Sequence, residues 1–208
     1  MTWANPARRA AWLKTVYQWH WISSAACLVG MLLFALTGIT LNHAAQIEAR
    51  PQTITLERQM PEAMLALLQN ADERAPGHLP APVHAWLEDA LEVRLRIQAV
   101  DWSPSEVYLS LPRPGGDAWL SIDREQGAVL YERTDRGWIA WLNDLHKGRN
   151  TGVAWSWFLD VFAVLCLVFC ITGLWMLHLH AARRPLTWPL VGFGLAAPWI
   201  LILLTLHD

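Results

Sequence analysis

Two apolar runs, each with a histidine at both ends, constrain this chain more than any other feature of it. Residues 22 to 41 (ISSAACLVGMLLFALTGITL) carry no charged side chain, follow His20 and end just before His43. Residues 153 to 179 follow His146 and run into His178 and His180, with one carboxylate, Asp160, inside the run. About 20 apolar residues in a helix cross the ~30 Å of a bilayer's hydrocarbon core, so each run is long enough to span. Trp19 and Trp21 border the first run, and Trp155, Trp157 and Trp175 mark the second. Indole rings concentrate at headgroup level, half in water and half out of it.

Composition agrees with a membrane protein: 54% of residues are apolar, 16% are charged, and there are 14 tryptophans. Acidic residues crowd between Glu48 and Asp144, and beyond that stretch only Asp160 and Asp208 remain. With a net charge of −2 and no basic face, nucleic acid is not an expected partner. Cys27, Cys166 and Cys170 all lie inside apolar runs, so no disulfide framework is expected, and no CxxCH motif offers covalent haem attachment. The first run is too long for a signal-peptide core, and only the weak Ala44-Ala45 pair resembles a cleavage pattern. It reads as a span, not a cleaved leader.

The expected organisation follows in order. Residues 1–18 form a basic interfacial segment with Arg8, Arg9, Lys14, Trp12 and Tyr17, and residues 19–43 the first transmembrane helix. Residues 44–150 make a soluble α+β domain. Within it Met60 to Arg74 reads as a short amphipathic helix led by Pro61, and Val83 to Ala90 as a second. The period then changes to two over Val93–Ile97, Val107–Leu111, Trp119–Ile122 and Val129–Tyr131. Ser103-Pro104, Pro114-Gly115-Gly116 and Glu125-Gln126-Gly127 separate these runs, predicting four strands in an antiparallel meander. Gly137 to Leu145, with Trp138 and Trp141, reads as an amphipathic helix returning the chain to the membrane. Residues 151–180 are the second span, 181–185 a short loop and 186–206 a third span, kinked at Pro198. The fold class expected is an α-helical membrane protein of three spans with an inserted α+β domain. Arg8, Arg9 and Lys14 before the first span, and Arg183 and Arg184 after the second, place those ends in the cytoplasm. Lys147 and Arg149 oppose this, but the inserted domain is expected outside the membrane, with Asp208 on the same side.

If the first two spans are antiparallel, four histidines fall into two layers. His20 with His178 or His180 lies at the cytoplasmic edge, and His43 with His146 at the outer edge. Neutral imidazoles facing each other across packed helices suit the axial positions of b-type haem, one or two per chain. His178 and His180 are ~200° apart around a helix, so only one can face the first span; His178, nearer the apolar run, is preferred. His20 and His43 lie roughly 34 Å apart along a helix and point ~140° apart. His43 therefore serves only where the helix has ended or bent, and His146 only if the loop KGRNTG folds back. Asp160 is placed to orient His43 or His146, with reaching water as the alternative. Lys147 and Arg149 suit haem propionates or an anionic substrate, with headgroup contact as the alternative. Cys166 and Cys170 suit apolar packing, His178-Leu179-His180 with Met176 a weak copper site, and His78 and His84 plain exposure. No Ser/His/Asp nucleophile set, HExxH or phosphate loop is present.

The signatures W-H-W…ALTGITLNH and LNDLHKGRNTG…WFLDVFA…CITGLWM resemble the PepSY-associated transmembrane proteins of bacterial inner membranes. Thr37-Gly38 and Thr172-Gly173 belong to that likeness, and Ile122-Asp123…Gly127-Ala128-Val129-Leu130 resembles the PepSY turn pattern. The likeness covers nearly the whole chain. It implies a multi-pass inner-membrane location, a PepSY-like periplasmic domain, and His20, His43, His146 and His178 as candidate ligands of haem iron. Larger members are ferric-siderophore reductases with two b-type haems, which implies oxidoreductase electron flow to a periplasmic iron chelate. Their implied partners are a membrane electron donor (a quinol or a dehydrogenase), a ferric siderophore or periplasmic protein, and the lipid bilayer. This chain is shorter, with one soluble domain, so it would complete its sites with a partner or as a homodimer. The rival expectation is a non-catalytic membrane-anchored binding module, or an assembly subunit of an envelope complex.

Overall fold

The computed structural model describes residues 5–48, 50–71, 78–97 and 99–206. Its elements are α1 (Pro6–Asn42), β1 (Gln52–Gln59), α2 (Glu62–Gln69), α3 (Ala81–Leu91), β2 (Ala99–Trp102) and β3 (Glu106–Ser110). There follow β4 (Gly116–Asp123), β5 (Ala128–Asp135), α4 (Trp138–Lys147), α5 (Val153–His180) and, after a 3-10 turn at Ala181–Arg183, α6 (Thr187–Thr205). The chain divides into two compact units, one of Met1–Leu32 with Phe158–Asp208 and one of Leu33–Trp157.

The first unit is helical. Among the described residues three helices are long and apolar enough to cross a membrane: Pro6–Asn42, Val153–Arg183 and Thr187–Thr205. The basic lead is the opening of α1 itself, with Asn5 Oδ1 accepting the Ala7 N–H at 2.9 Å and Pro6 at the first helical position. Small residues let neighbouring helices close together: Cys27 and Ser23 are buried, and a Cβ at Gly30 would collide with the Phe162 ring. Leu167, Ile171, Leu195 and Leu203 stay exposed, and no residue of α5 or α6 is buried. Helices apolar all round and exposed need an apolar solvent. Pro198 lies inside α6, which runs on unbroken to Thr205.

The second unit is built on a five-stranded antiparallel sheet in the order β1-β5-β4-β3-β2. Alternation decides its faces. Ala118, Leu120 and Ile122 of β4, with Val107 and Leu109 of β3, point to one side and are buried. Leu68 of α2 and Val83, Leu87 and Leu91 of α3 belong to the same core. Two strand expectations need correction. Val93–Ile97 is not a strand: the Leu95 amide donates to Glu88 Oε1 at 2.8 Å and the Val93 amide to the Glu88 carbonyl at 3.2 Å. Donors tied locally are lost to a ladder, and the first strand after α3 begins at Ala99 instead. The sheet also has a fifth strand, β1, whose eight residues pair with β5 from Gln52↔Asp135 to Gln59↔Ala128. The α2 helix ends at Gln69, short of the expected Arg74; residues 72–74 lie outside those described.

Candidate functional site

In the first unit His20, on α1, is held by three residues of α5. Its Nδ1 lies 3.0 Å from Thr172 Oγ1, and its ring stacks on Phe169 with centroids 4.9 Å apart and planes 17° apart. A Cβ on Gly173 would sit 3.4 Å from the imidazole Cε1, so the ring lies against the glycine at ordinary contact distance. Thr172 Oγ1 lies 2.6 Å from the Val168 carbonyl and 3.0 Å from the Phe169 carbonyl. A hydroxyl has one hydrogen, and those carbonyls only accept, so toward His20 the threonine presents a lone pair. With the hydroxyl hydrogen on a helix carbonyl, the neutral imidazole that fits this contact is the one with its proton on Nδ1 and Nε2 free.

The second unit repeats this arrangement with other residues. His146, in the last turn of α4, places Nδ1 2.7 Å from Thr37 Oγ1, with the Phe34 ring 4.9 Å away. A Cβ on Gly38 would sit 3.6 Å from its Cε1. Thr37 Oγ1 also lies 2.9 Å from the Leu33 carbonyl and 3.2 Å from the Phe34 carbonyl, so the same Nδ1–H form of a neutral imidazole fits here when the threonine donates to its own helix. Each cradle is F-x-x-T-G, at 34–38 and 169–173, and each receives a histidine from another element. Three contacts position α4: Thr40 donates to Asn143 Oδ1 at 2.9 Å, Asp144 Oδ2 accepts the Gly115 amide at 2.9 Å, and Trp155 Nε1 donates to the Leu145 carbonyl at 2.9 Å. The expected fold-back of KGRNTG begins with Gly148 in the left-handed region, where it caps α4.

The remaining sequence candidates have other surroundings. His43 is exposed just past α1, and its Nδ1 is 3.0 Å from the Ile39 carbonyl of its own helix. His178 lies beside Trp175 and Trp188, at centroid distances of 6.3 and 5.9 Å. His180, with Nδ1 2.8 Å from the Met176 carbonyl, shares with His20 a cavity of about 750 Å³ also lined by Cys170, Gly173 and Arg184. His178 does not line that cavity, so the residue brought to His20's side is the one the sequence reading ranked second. Asp160 is exposed on α5 and, among the described residues, makes no hydrogen bond or ion pair. Lys147 and Arg149 line a separate cavity to which His146 does not contribute. Among the described residues no group of three His, Cys, Asp or Glu side chains is arranged to hold a metal ion. Phe34, Phe169 and the roles of both threonines went unread in the sequence, although the repeated F-x-x-T-G was there to find.

Three helices of membrane-crossing length and a five-stranded antiparallel sheet backed by helices define a membrane protein with an α+β domain. The PepSY_TM-like family model matches residues 11–207, and the chain belongs to that family. No curated protein and no solved structure matches it in the same comparisons.

Proposed function

We propose that the chain is a b-type haem electron-transfer protein of the bacterial inner membrane, passing electrons outward to an oxidant such as a ferric chelate. The observation that carries this reading is the setting of two imidazoles. His20 and His146 each have Nδ1 within hydrogen-bond distance of a threonine hydroxyl, and a neutral imidazole that donates there from Nδ1 would offer Nε2 to iron. Haem iron brings four nitrogens of its own and would cycle between ferric and ferrous. The protein would then have to supply only imidazoles, shape and charge. On the His20 side the cavity with His180 offers a second imidazole, and Arg184 a cation for a propionate. His178 remains a rival second ligand, and His43 the rival on the other side. In the proposed orientation Arg8, Arg9, Lys14, Arg183 and Arg184 are cytoplasmic and the sheet domain periplasmic. A quinol or a membrane dehydrogenase would be the donor, and a second copy of the chain could complete a site.

The test is the visible spectrum of the purified full chain. A Soret band that weakens in His20→Ala and in His146→Ala is expected; no band, or one that neither substitution changes, overturns the proposal. A second reading, a membrane-anchored binding module, is favoured by the open face of the sheet. There Tyr108 and Trp119 stack with centroids 6.0 Å apart, among Asp101, Glu106, Asp117 and Glu132. It requires the histidines to be dispensable while substitutions on that face abolish capture of a partner protein.

A further inference from the structure

The cavity lined by Lys147 and Arg149 includes neither histidine site. It holds about 480 Å³, where Leu41 of α1's last turn, Ala44 and Ile47 meet α4. Four cationic side chains reach it: Arg50, Arg136, Lys147 and Arg149. Arg136 lies 3.4 Å from Asp144, whose same oxygen accepts the Gly115 amide at 2.9 Å. The other three make no ion pair among the described residues, and Glu48, the second carboxylate on the wall, is exposed. The cavity is thus a concentration of cations with too few anions to match them.

Its apolar surroundings narrow what would bind. Leu41 ends a run of membrane-crossing length, and Trp138, on the same wall, is 69% exposed. An exposed indole beside unmatched cations at the end of a span is what the headgroup layer accommodates. Guanidinium and ammonium groups bind phosphate oxygens through charge-assisted hydrogen bonds, and the apolar rim suits attached acyl chains. We propose that this cavity binds the phosphate oxyanion of an anionic phospholipid headgroup, of the phosphatidylglycerol type. The assignment does not depend on haem.

Native mass spectrometry of the full chain, equilibrated with equal phosphatidylglycerol and phosphatidylcholine in detergent, tests it. Several-fold preferential retention of phosphatidylglycerol is expected. The double substitution Arg50→Gln with Arg149→Gln should bring the two lipids level. Arg94→Gln with Arg96→Gln, the same charge change at exposed positions that do not line this cavity, should leave the preference intact. Equal retention by the unaltered chain, or a preference that survives the Arg50/Arg149 change, overturns the site. Acylation of Lys147 in the unaltered chain supplies a readout that no substitution can confound. Phosphatidylglycerol should slow it and phosphatidylcholine should not. Slowing by inorganic phosphate without any lipid preference overturns the lipid assignment in favour of a free oxyanion.

Discussion

A threonine hydroxyl has one hydrogen, and in Thr37 and Thr172 it is committed to the helix's own carbonyls. That arrangement favours the Nδ1–H tautomer of the imidazole opposite. Valine keeps the shape but removes the lone pair, leaving the His20 Nδ1–H of a Thr172→Val variant without its acceptor; an unmade bond of this kind costs about 1–3 kcal/mol. The expected result, read from 15N chemical shifts of labelled histidine, is a single Nδ1–H tautomer in the unaltered chain and a mixture in Thr172→Val. Thr172→Ser should restore the single form. A mixture already in the unaltered chain would remove the basis of the haem reading. A second residue-scale prediction concerns Tyr108, whose phenol is raised above its ordinary value near 10 by burial, then by the carboxylates of Asp117, Asp101 and Glu106. The unfolded chain loses that proton first, so stability is whole below about pH 10 and falls as pH rises from there toward the raised folded value. Tyr108→Phe should flatten part of the drop in melting temperature between about pH 8 and about pH 11; parallel curves would refute it. The histidines were legible because their residue type and spacing announce them. The threonines were not, since a hydroxyl's role depends on which element lies against it.

At the scale of elements, α4 is the instructive case. Ten residues are too few for a helix to stand alone, so its place depends on tertiary anchors. One anchor is Asp144, 5% exposed, which takes the Gly115 amide in the β3–β4 turn. Asp144→Ala should leave that amide buried and unpaired, at about 1–3 kcal/mol, and loosen the helix that carries His146. The expected signs are a lower melting temperature, faster hydrogen exchange at Gly115 and loss of the single His146 tautomer. Unchanged exchange at Gly115 would show that the anchor is elsewhere. Gly115 has φ +73, and a Cβ there would lie 2.6 Å from Trp141 Cβ, so the same turn tolerates no larger residue. The helices were readable because period and turn chemistry agree along each of them, from the eight residues of α2 upward. β1 was not, for its reason to be a strand lies in β5, roughly seventy to eighty residues away, and an edge strand with polar residues on most positions shows little alternation. Val93–Ile97 misled in the opposite way: its alternation is real and Leu95 is buried, but the Glu88 carboxylate takes the amide a ladder needs.

For the whole molecule, the division into two compact units assigns each histidine a different dependence. His20, Phe169, Thr172 and Gly173 all belong to the helical unit, while His146, Phe34, Thr37 and Gly38 belong to the unit that contains the sheet. The three spans were plain in the apolar runs, but this partition was not. It arises because α1 and α5 each pass from one unit into the other, which no periodicity reports. A lesion in the sheet's core should therefore reach one site and spare the other. Leu120 is fully buried, and Leu→Ala at such a position costs about 2–5 kcal/mol. In Leu120→Ala, gradual heating of 15N-histidine-labelled protein should erase the ordered His146 signal at a lower temperature than in the unaltered chain. The His20 signal should persist to its original temperature, because none of its contacts draws on the sheet. Simultaneous loss of both signals would mean that the chain unfolds as one cooperative body, and the two cradles would then have to be treated as a single site.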